Sequence, residues 1–394
     1  MQNVIGPPVR EQDFVGRSQE LAHAWSLLRD NHLLLSEPRR VGKTSLMHRL
    51  QQEAPSQGHA GAAYCSAAGL NDEAEFVARL CATVVCTPGF ESVASAIADH
   101  RVAGLLGRIK KLGLGPVVVE LAELERSKHG TLSEALRLAL GGLPPGRPYL
   151  ILIDELPVLL AALIEADRPR ARRFLEWFRS VRQGPSTHAN PVRWVLAGSI
   201  GLAPLTSREG WSSLINDLHT LPLGAMREEE ARSLFDGLAL AHHVPLSAAD
   251  RDALLARLGW PVPYFLQLAF ARLRGPNRVP PGPALPDAVV AALCGVESAK
   301  DFQHWWGRLD KELGPVGAQA AEVVLDACAA DPAGAAASLL REKVAGFWGE
   351  GERERERSAM MEQLAHDGYL VFEPPRWRFR SPLLREVWLA RRER

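Results

Sequence analysis

Short apolar runs and amphipathic stretches alternate along the first 225 residues of the chain. Each apolar run spans only a few residues, as a buried strand does, and helical spacing of apolar residues follows most runs. Strands that alternate with helices predict an α/β fold with a parallel, doubly wound sheet, whose site lies at the carboxyl ends of the strands. The predicted strands are residues 33–35, 61–67, 115–120, 149–154, 192–199 and 215–223. The predicted helices are residues 18–29, 73–85, 88–112, 131–140 and 157–183, with a further helix opened by Gly42.

The pattern becomes purely helical after residue 226. Helices are predicted at residues 228–242, 247–258 and 261–274, and Ser247 is expected to cap the second of them. Residues 275–286 contain five prolines, which indicates a loop or linker rather than a regular element.

The last hundred residues combine helices with a hairpin. Helices are predicted at residues 287–294, 299–313, 318–330 and 354–367. Gly368 is expected to end the last of these helices, and Ser381 to start a final one. Two short strands, residues 369–372 and 377–380, lie between them. Helices followed by a β-hairpin wing are typical of a winged helix-turn-helix domain.

The loop after the first strand carries a phosphate-binding pattern. Gly42, Lys43 and Thr44 stand between a predicted strand and a predicted helix, the arrangement of a P-loop. Glycine lets backbone N–H groups approach phosphate closely, and the helix N-terminus adds a partial positive charge. Lys43 would reach the β- and γ-phosphates, and Thr44 would give its hydroxyl to Mg²⁺.

One position departs from the P-loop pattern. Glu37 occupies the place of the first glycine of G-x-x-x-x-G-K-[ST]. A carboxylate there repels phosphate unless it points away or pairs with Arg39 or Arg40.

A second stretch strengthens the prediction of nucleotide binding. The apolar run 149–153 ends in Asp154 and Glu155, which is the form of a Walker B strand. Asp154 would hold Mg²⁺ through water, and Glu155 would polarise the attacking water as a general base. Alone, the run also fits a buried strand that ends in a solvated acidic turn, but a preceding P-loop favours the nucleotide site.

Two other segments leave alternatives open. Gly198 and Ser199 end a predicted strand, where a polar side chain could meet the γ-phosphate or the attacking water, or simply form a turn. The predicted helix 157–183 carries six arginines among its aromatic residues. An amphipathic surface helix is favoured there, and a face for nucleic acid or a protein partner is the alternative.

The balance of charge limits the possible partners. Lys plus Arg and Asp plus Glu both number 46, and 46% of residues are hydrophobic. With no net charge, binding to nucleic acid or membrane would need a local patch. Residues 369–394 are such a candidate, since they contain seven arginines and three glutamates, a local excess of +4. This wing could contact DNA, dock a protein or act as an autoinhibitory module.

The chain shows no signal-peptide pattern and no apolar run of membrane-spanning length. We therefore expect a cytoplasmic protein without a membrane partner. Five cysteines fit neither a zinc site nor a disulfide framework, which predicts buried, reduced thiols.

Taken together, these motifs resemble a prokaryotic P-loop ATPase of the AAA+/STAND kind, close to the archaeal-type ATPase group, over nearly the whole length. The resemblance implies a P-loop ATPase core (1–225), a helical lid with a proline-rich linker (226–286), and a helical segment with a winged helix (287–394). It implies ATP and Mg²⁺ as ligands. The motifs that carry it are FVGR at 14–17, PRRVGKTSL at 38–46, IDELP at 153–157, AGS at 197–199 and GWP at 259–261.

The resemblance also assigns roles to single residues. Gly16 and Arg17 match the motif that lines the nucleotide pocket, Ser199 matches the sensor 1 position, and Pro261 matches the lid proline that packs on adenine. The P-loop residues that it implies for nucleotide binding are Pro38, Arg39, Arg40, Val41, Gly42, Lys43, Thr44 and Ser45.

These expectations define three functional hypotheses. The first is an ATP-hydrolysing molecular switch that couples nucleotide state to self-association or to a protein partner. The second is a DNA-binding ATPase that acts through its winged helix in a DNA transaction or in a mobile-element or defence context. The third is a scaffold that binds nucleotide without useful hydrolysis.

Overall fold

The computed structural model describes residues 1–9, 13–97, 114–127, 131–184, 191–275 and 278–394. Residues 98–112 of one predicted helix and residues 276–277 of the proline-rich loop lie outside this description. The chain forms two compact units. The sheet unit comprises Ser18–Ser36 and Lys43–Leu223, and the helical unit comprises Met1–Arg17, Glu37–Gly42 and Gly224–Arg394.

The sheet unit is built on five parallel strands in the order β2-β3-β4-β1-β5. This order confirms the predicted α/β fold with a parallel P-loop NTPase sheet. Its strands are β1 His32–Leu35, β2 Gly61–Ser66, β3 Tyr149–Asp154, β4 Val192–Ala197 and β5 Leu218–Leu221. Its helices are α1 Ser18–Leu27, α2 Lys43–Glu53, α3 Glu73–Cys86, α4 Glu91–Ile97, α5 Leu114–Ser127, α6 Thr131–Gly141, α7 Leu156–Ala166, α8 Arg168–Gln183 and α9 Leu202–Glu209.

One strand prediction is wrong. Residues 115–120 lie in helix α5, although their three consecutive valines favour a strand by local propensity. Val117, Leu121 and Ala122 are buried in the core while Val119 is 58% exposed, which is the spacing of a helix face. Packing against α3 and α6 therefore decides the conformation of this segment.

The single helix predicted at 157–183 is two helices. Asp167 lies in extended conformation between α7 and α8, and its side chain accepts a hydrogen bond from the backbone N–H of Arg170. Asp167 therefore caps α8 at the point where α7 ends.

The core of the sheet unit is strongly apolar around β3. All six residues of β3 are buried, whereas burial alternates along β2. Phe178 of α8 packs edge-on against Trp194 of β4, with ring centroids 5.4 Å apart. A central strand buried on both faces is typical of a parallel sheet covered by helices.

The helical unit joins the helices after residue 224 to a small antiparallel sheet, ordered β6-β8-β7. Its helices are α10 Glu228–Ala241, α11 Ala248–Leu258, α12 Pro263–Ala271, α13 Leu285–Cys294, α14 Ala299–Ala329, α15 Ala337–Lys343, α16 Arg353–His366 and α17 Pro382–Arg392. Its strands are β6 Ala335–Ala336, β7 Leu370–Glu373 and β8 Arg376–Phe379.

The ends of these helices follow the predictions. The Ser247 hydroxyl accepts a hydrogen bond from the N–H of Asp250 at 3.0 Å, and Gly368 ends α16 with a φ of +81°. Ser381 caps α17 through the N–H of Leu384. The two helices predicted at 299–313 and 318–330 lie in α14, which the non-helical backbone of Gly314, with φ 68° and ψ 173°, divides into two helical stretches.

Candidate functional site

The sheet unit brings two predicted Mg²⁺ ligands together. Thr44, the second residue of α2, donates a hydrogen bond from its hydroxyl to Oδ2 of Asp154 at 2.7 Å. Asp154 ends β3 and is 5% exposed, and Lys43 begins α2 and is 7% exposed. The structure therefore places the Thr44 hydroxyl and the Asp154 carboxylate in direct contact at the carboxyl end of the strands.

The donor set at this point fits Mg²⁺. A hydroxyl and a carboxylate are hard oxygen ligands, which Mg²⁺ prefers, and the ion usually keeps water and phosphate oxygens as its other ligands. The described residues contain no cluster of three or more His, Cys, Asp or Glu side chains suited to a metal ion. Thr44 and Asp154 would therefore hold an ion that also depends on a nucleotide and water.

The candidate base, Glu155, is held in an unusual conformation. Its φ is +60°, and it precedes α7 as the N-cap residue. Its Oε2 accepts hydrogen bonds from the backbone N–H of Ser199 at 2.9 Å and from the Ser199 hydroxyl at 2.8 Å. The end of β4 thus meets the end of β3 through a polar contact, rather than forming only a turn.

Gly198 allows this approach. A Cβ added to Gly198 would lie 2.5 Å from Cδ of Pro157 and 2.7 Å from its Cγ. No larger residue fits between Pro157 and the end of β4 without displacement. The glycine therefore lets Ser199 reach Glu155.

Tyr64 belongs to the same group of side chains, although sequence reasoning missed it. Its hydroxyl donates to Oδ2 of Asp154 at 3.0 Å, and its ring lies 4.4 Å from that of His48. Burial and the Asp154 carboxylate raise the pKa of Tyr64, so the phenol keeps its proton and acts as a donor. Strand β2 pairs with β3, and that pairing was the only signal that could have indicated the contact.

In the helical unit, Arg17 is buried and surrounded by backbone carbonyls. Its guanidinium donates to the carbonyls of Val41 at 3.0 Å, Gly224 at 2.9 Å and Ala225 at 3.1 Å. Its backbone N–H donates to Oε1 of Glu230 at 2.7 Å. Arg17 therefore positions the P-loop backbone at Val41, and contact with nucleotide stays a prediction.

Gly16 and Pro261 also take part in backbone packing in this unit. A Cβ at Gly16 would lie 2.9 Å from the Glu230 carboxyl carbon, so a glycine is required by the close approach of that side chain. The carbonyl of Pro261 accepts a hydrogen bond from the N–H of Met226 at 2.9 Å. The predicted contact between Pro261 and adenine stays a prediction.

Left-handed backbone conformations concentrate at predicted site residues. Among the described residues, four that are not glycine have a positive φ: Arg17, Arg40, Glu155 and His243. Three of them belong to the predicted nucleotide site. Such conformations cost about 1–3 kcal/mol each and are found where function constrains the backbone.

The arginines of α8 mostly have partners within the sheet unit. Arg182 is fully buried against Asp217, and Arg179 bonds Asn216. The remaining ion pairs are Arg168 with Glu209, Arg170 with Glu73 and Asp72, and Arg172 with Glu176. This pairing fits the favoured interpretation as a structural helix rather than a nucleic-acid face.

Four of the seven arginines in residues 369–394 form ion pairs. Arg376 bonds Asp331, Arg378 bonds Glu373, and Arg391 and Arg392 both bond Glu322. Asp331 and Glu322 lie outside residues 369–394, so neighbouring acidic residues offset part of the local excess of positive charge. A DNA-contacting wing stays a hypothesis, and this pairing does not favour it.

The described cysteines form no disulfide: Cys65, Cys81 and Cys328 are buried, while Cys86 is exposed and Cys294 is partly exposed. The expectation of buried thiols is therefore wrong for Cys86. Among the described residues, no helix combines the length and apolar character that a membrane crossing requires.

No protein-family model and no curated protein matches this sequence. Among solved structures, the chain is similar to the Walker-type ATPase of Pyrococcus abyssi, with a TM-score of 0.62 and 15% identity, over 99% of this chain and 100% of that chain. The Aeropyrum pernix ORC1 protein in complex with DNA gives a TM-score of 0.38 at 17% identity, over 98% and 95% of the two chains. The Thermotoga maritima RuvB Holliday junction branch migration motor gives a TM-score of 0.39 at 14% identity, over 93% of this chain and 92% of that chain. Only the first similarity is close enough to interpret, and it shows a shared fold.

Proposed function

We propose that this chain is a cytoplasmic ATPase of the AAA+/STAND kind, which binds ATP with Mg²⁺, hydrolyses it and couples nucleotide state to self-association or to a protein partner. One observation carries the proposal: Thr44, Asp154, Glu155 and Ser199 meet at the carboxyl ends of the strands, linked by hydrogen bonds of 2.7–3.0 Å. These are the groups that a phosphoryl transfer to water requires.

Each residue has a separate task in this reaction. Lys43 would hold the β- and γ-phosphates, and Thr44 and Asp154 would hold Mg²⁺, which neutralises the charge that develops on the phosphate oxygens. Glu155 would take the proton from the attacking water. Ser199 orients the Glu155 carboxylate through two hydrogen bonds. The roles of Gly16, Arg17, Pro38, Pro261 and the other predicted contacts are part of the same proposal.

The test of this proposal is nucleotide binding by Lys43→Ala. We expect wild-type protein to bind a fluorescent ATP analogue in the presence of Mg²⁺ and to hydrolyse ATP, and Lys43→Ala to lose most of both, because Lys43 carries the charge that faces the phosphates. Binding is measured by fluorescence titration and turnover by phosphate release. Arg49→Ala is the matched control, because Arg49 lies on the same helix and pairs with Glu53 at the surface.

Three results would count against the proposal in different ways. Wild-type protein that binds no nucleotide would contradict it entirely. Binding without turnover in wild-type protein would favour a nucleotide-binding scaffold. If Lys43→Ala bound nucleotide as tightly as the control Arg49→Ala, the P-loop lysine would not contribute to nucleotide binding.

Tyr64 offers a test of the Mg²⁺ position that does not depend on turnover. Tyr64→Phe removes one hydrogen bond to Asp154. It should weaken the affinity of the nucleotide-bound protein for Mg²⁺ by about 10-fold or more, as other changes next to metal ligands do. The measurement is a Mg²⁺ titration of fluorescent-nucleotide binding.

Tyr149→Phe is the control for that change. Tyr149 begins β3 and Asp154 ends it, so the same atom is removed about 17 Å from the metal ligand. An equal effect of the two variants, or no effect of Tyr64→Phe, would show that Tyr64 does not position Asp154.

A further inference from the structure

The loop that precedes Lys43 contains two residues with a positive φ. Arg40 has a φ of 71° and Gly42 a φ of 100°, whereas Val41 between them does not have a positive φ. Such alternation turns successive backbone N–H groups to one side, which creates a concavity that binds anions. Glycine adopts a positive φ freely, but arginine does not, because its Cβ crowds the following carbonyl oxygen. The conformation of Arg40 therefore needs support from outside the loop.

Two contacts within the helical unit hold the guanidinium of Arg40. Its Nη1 donates a hydrogen bond to the carbonyl of Gly6 at 3.1 Å. Its Cζ lies 4.4 Å from the centroid of the Tyr264 ring, where the face of the ring attracts a cation. The Tyr264 side chain is itself fixed, because it is buried and its hydroxyl donates to the carbonyl of Asp301 at 2.8 Å. A carbonyl and an immobilised ring thus restrain the same guanidinium.

The turn at Gly6 is specific to glycine. Its φ is +101°, which other residues rarely adopt, and a Cβ added there would lie 3.2 Å from Nη1 of Arg40. A larger residue would therefore strain the backbone and crowd the guanidinium that the Gly6 carbonyl binds.

The segment that carries Gly6, residues 1–9, is attached to two helices, and we refer to it as the arm. Met1 packs on α10, where a Cβ added to Gly237 would lie 2.6 Å from Cε of Met1 and 3.1 Å from its Sδ. The side-chain amide of Asn3 donates to the carbonyl of Gln267 in α12 at 3.2 Å. Tyr264 belongs to the same α12, so the two contacts of the guanidinium share one support.

We propose that the arm and Tyr264 position the P-loop, because they hold Arg40 in the left-handed conformation before a nucleotide binds. The inference rests on the proposed nucleotide binding. If only a fraction of the molecules has a binding-competent loop, the apparent affinity falls by that fraction. Loss of either contact therefore weakens nucleotide binding, whereas the molecules that do bind keep their rate of turnover.

The experiment is a titration of Gly6→Val and Tyr264→Leu with a fluorescent ATP analogue in Mg²⁺. Each change should raise the Kd by about fivefold or more, because it leaves a left-handed arginine without one of its supports. The kcat at saturating ATP should stay within about twofold of wild type, so the loss appears in KM.

Two controls separate this effect from a general disturbance. Tyr264→Phe keeps the ring and should bind the analogue within about twofold of wild type. Gly146→Val introduces the same kind of backbone strain at an exposed glycine of the sheet unit, where φ is +119° and an added Cβ meets nothing within 4 Å. It should leave the Kd unchanged.

The decisive comparison adds Gly6→Val to Arg40→Gly. Glycine adopts a positive φ without support, so in this background Gly6→Val should change the Kd by less than about twofold. The inference would be overturned if Gly6→Val weakened binding by the same factor in both backgrounds, because the arm would then not act through Arg40. Unchanged binding in both Gly6→Val and Tyr264→Leu would also overturn it.

Urea unfolding of each variant checks that it folds. If Tyr264→Leu does not fold, Gly6→Val decides, because Gly6 is exposed. A wild-type chain that binds no ATP analogue would instead contradict the proposed function. The cycle of Gly6→Val and Arg40→Gly is then read in the free energy of unfolding, where coupling would support the contact between the arm and the loop and additive effects would overturn it.

Discussion

Replacing Glu155 by Gln is expected to lower ATP turnover by about 10²- to 10⁴-fold without weakening ATP binding. The expected range is the usual contribution of a general base, which glutamine cannot replace because its amide does not accept a proton at neutral pH. Glutamine has the same shape and keeps a carbonyl oxygen for the hydrogen bonds that Ser199 donates. Turnover is measured by phosphate release at saturating ATP and affinity by fluorescent-nucleotide titration.

Glu165→Gln is the matched control for this prediction, because Glu165 is an exposed carboxylate on α7, the helix that Glu155 caps. Its turnover should equal that of wild type. Ser199→Ala should have a smaller effect than Glu155→Gln, since the backbone N–H of residue 199 still bonds the carboxylate. If Glu155→Gln retained turnover within threefold of wild type, Glu155 would not be the base.

Replacing Asp217 by Asn should destabilise the sheet unit by about 3–5 kcal/mol, the usual effect of leaving a buried charge without its partner. Arg182 is fully buried, and its guanidinium bonds both carboxylate oxygens of Asp217 at 2.9 Å and the carbonyl of Leu214 at 2.7 Å. Asparagine keeps the size of aspartate but removes the charge that compensates the arginine. The measurement is urea unfolding followed by far-UV circular dichroism.

Two further variants separate the charge effect from a general loss of packing. Glu176→Gln breaks an exposed ion pair with Arg172 on the same helix, and it should change stability by less than about 0.5 kcal/mol. Arg182→Met combined with Asp217→Asn should recover part of the loss, because no unpaired cation remains. A loss below about 1 kcal/mol in Asp217→Asn would show that the pair is not essential to the unit.

The grouping of Thr44, Asp154 and Glu155 in one candidate site could be predicted because each lies in a short, chemically constrained stretch. The P-loop and the Asp154–Glu155 pair each follow an apolar strand, and parallel strands bring their carboxyl ends to one edge. A polar role for Ser199 was one of two alternatives, and its contact with Glu155 was not predicted, because it depends on the approach of Pro157 to Gly198.

Other features depend on tertiary packing and left no local signal. The valines of residues 115–120 favour a strand by propensity, but the packing of their helix against α3 and α6, with Val117 buried and Val119 exposed, makes the segment helical. Tyr64 and Asp154 are ninety positions apart, and only the pairing of β2 with β3 brings them together. Glu230 lies in the helix predicted at residues 228–242 without any expected contact, yet its carboxylate accepts a hydrogen bond from the backbone N–H of Arg17.

The interruption of α14 at Gly314 limits how a displacement can pass through the helical unit. A continuous helix transmits a rotation along its axis, because each turn is hydrogen-bonded to the next. At Gly314 the backbone leaves the helical region, and Pro315 has no N–H with which to restore the ladder. Glu312, two residues before the break, accepts a hydrogen bond from Gln363 of α16 at 2.6 Å, so the first part of α14 is tied to α16 by a side-chain contact and not to its own second part by a continuous ladder.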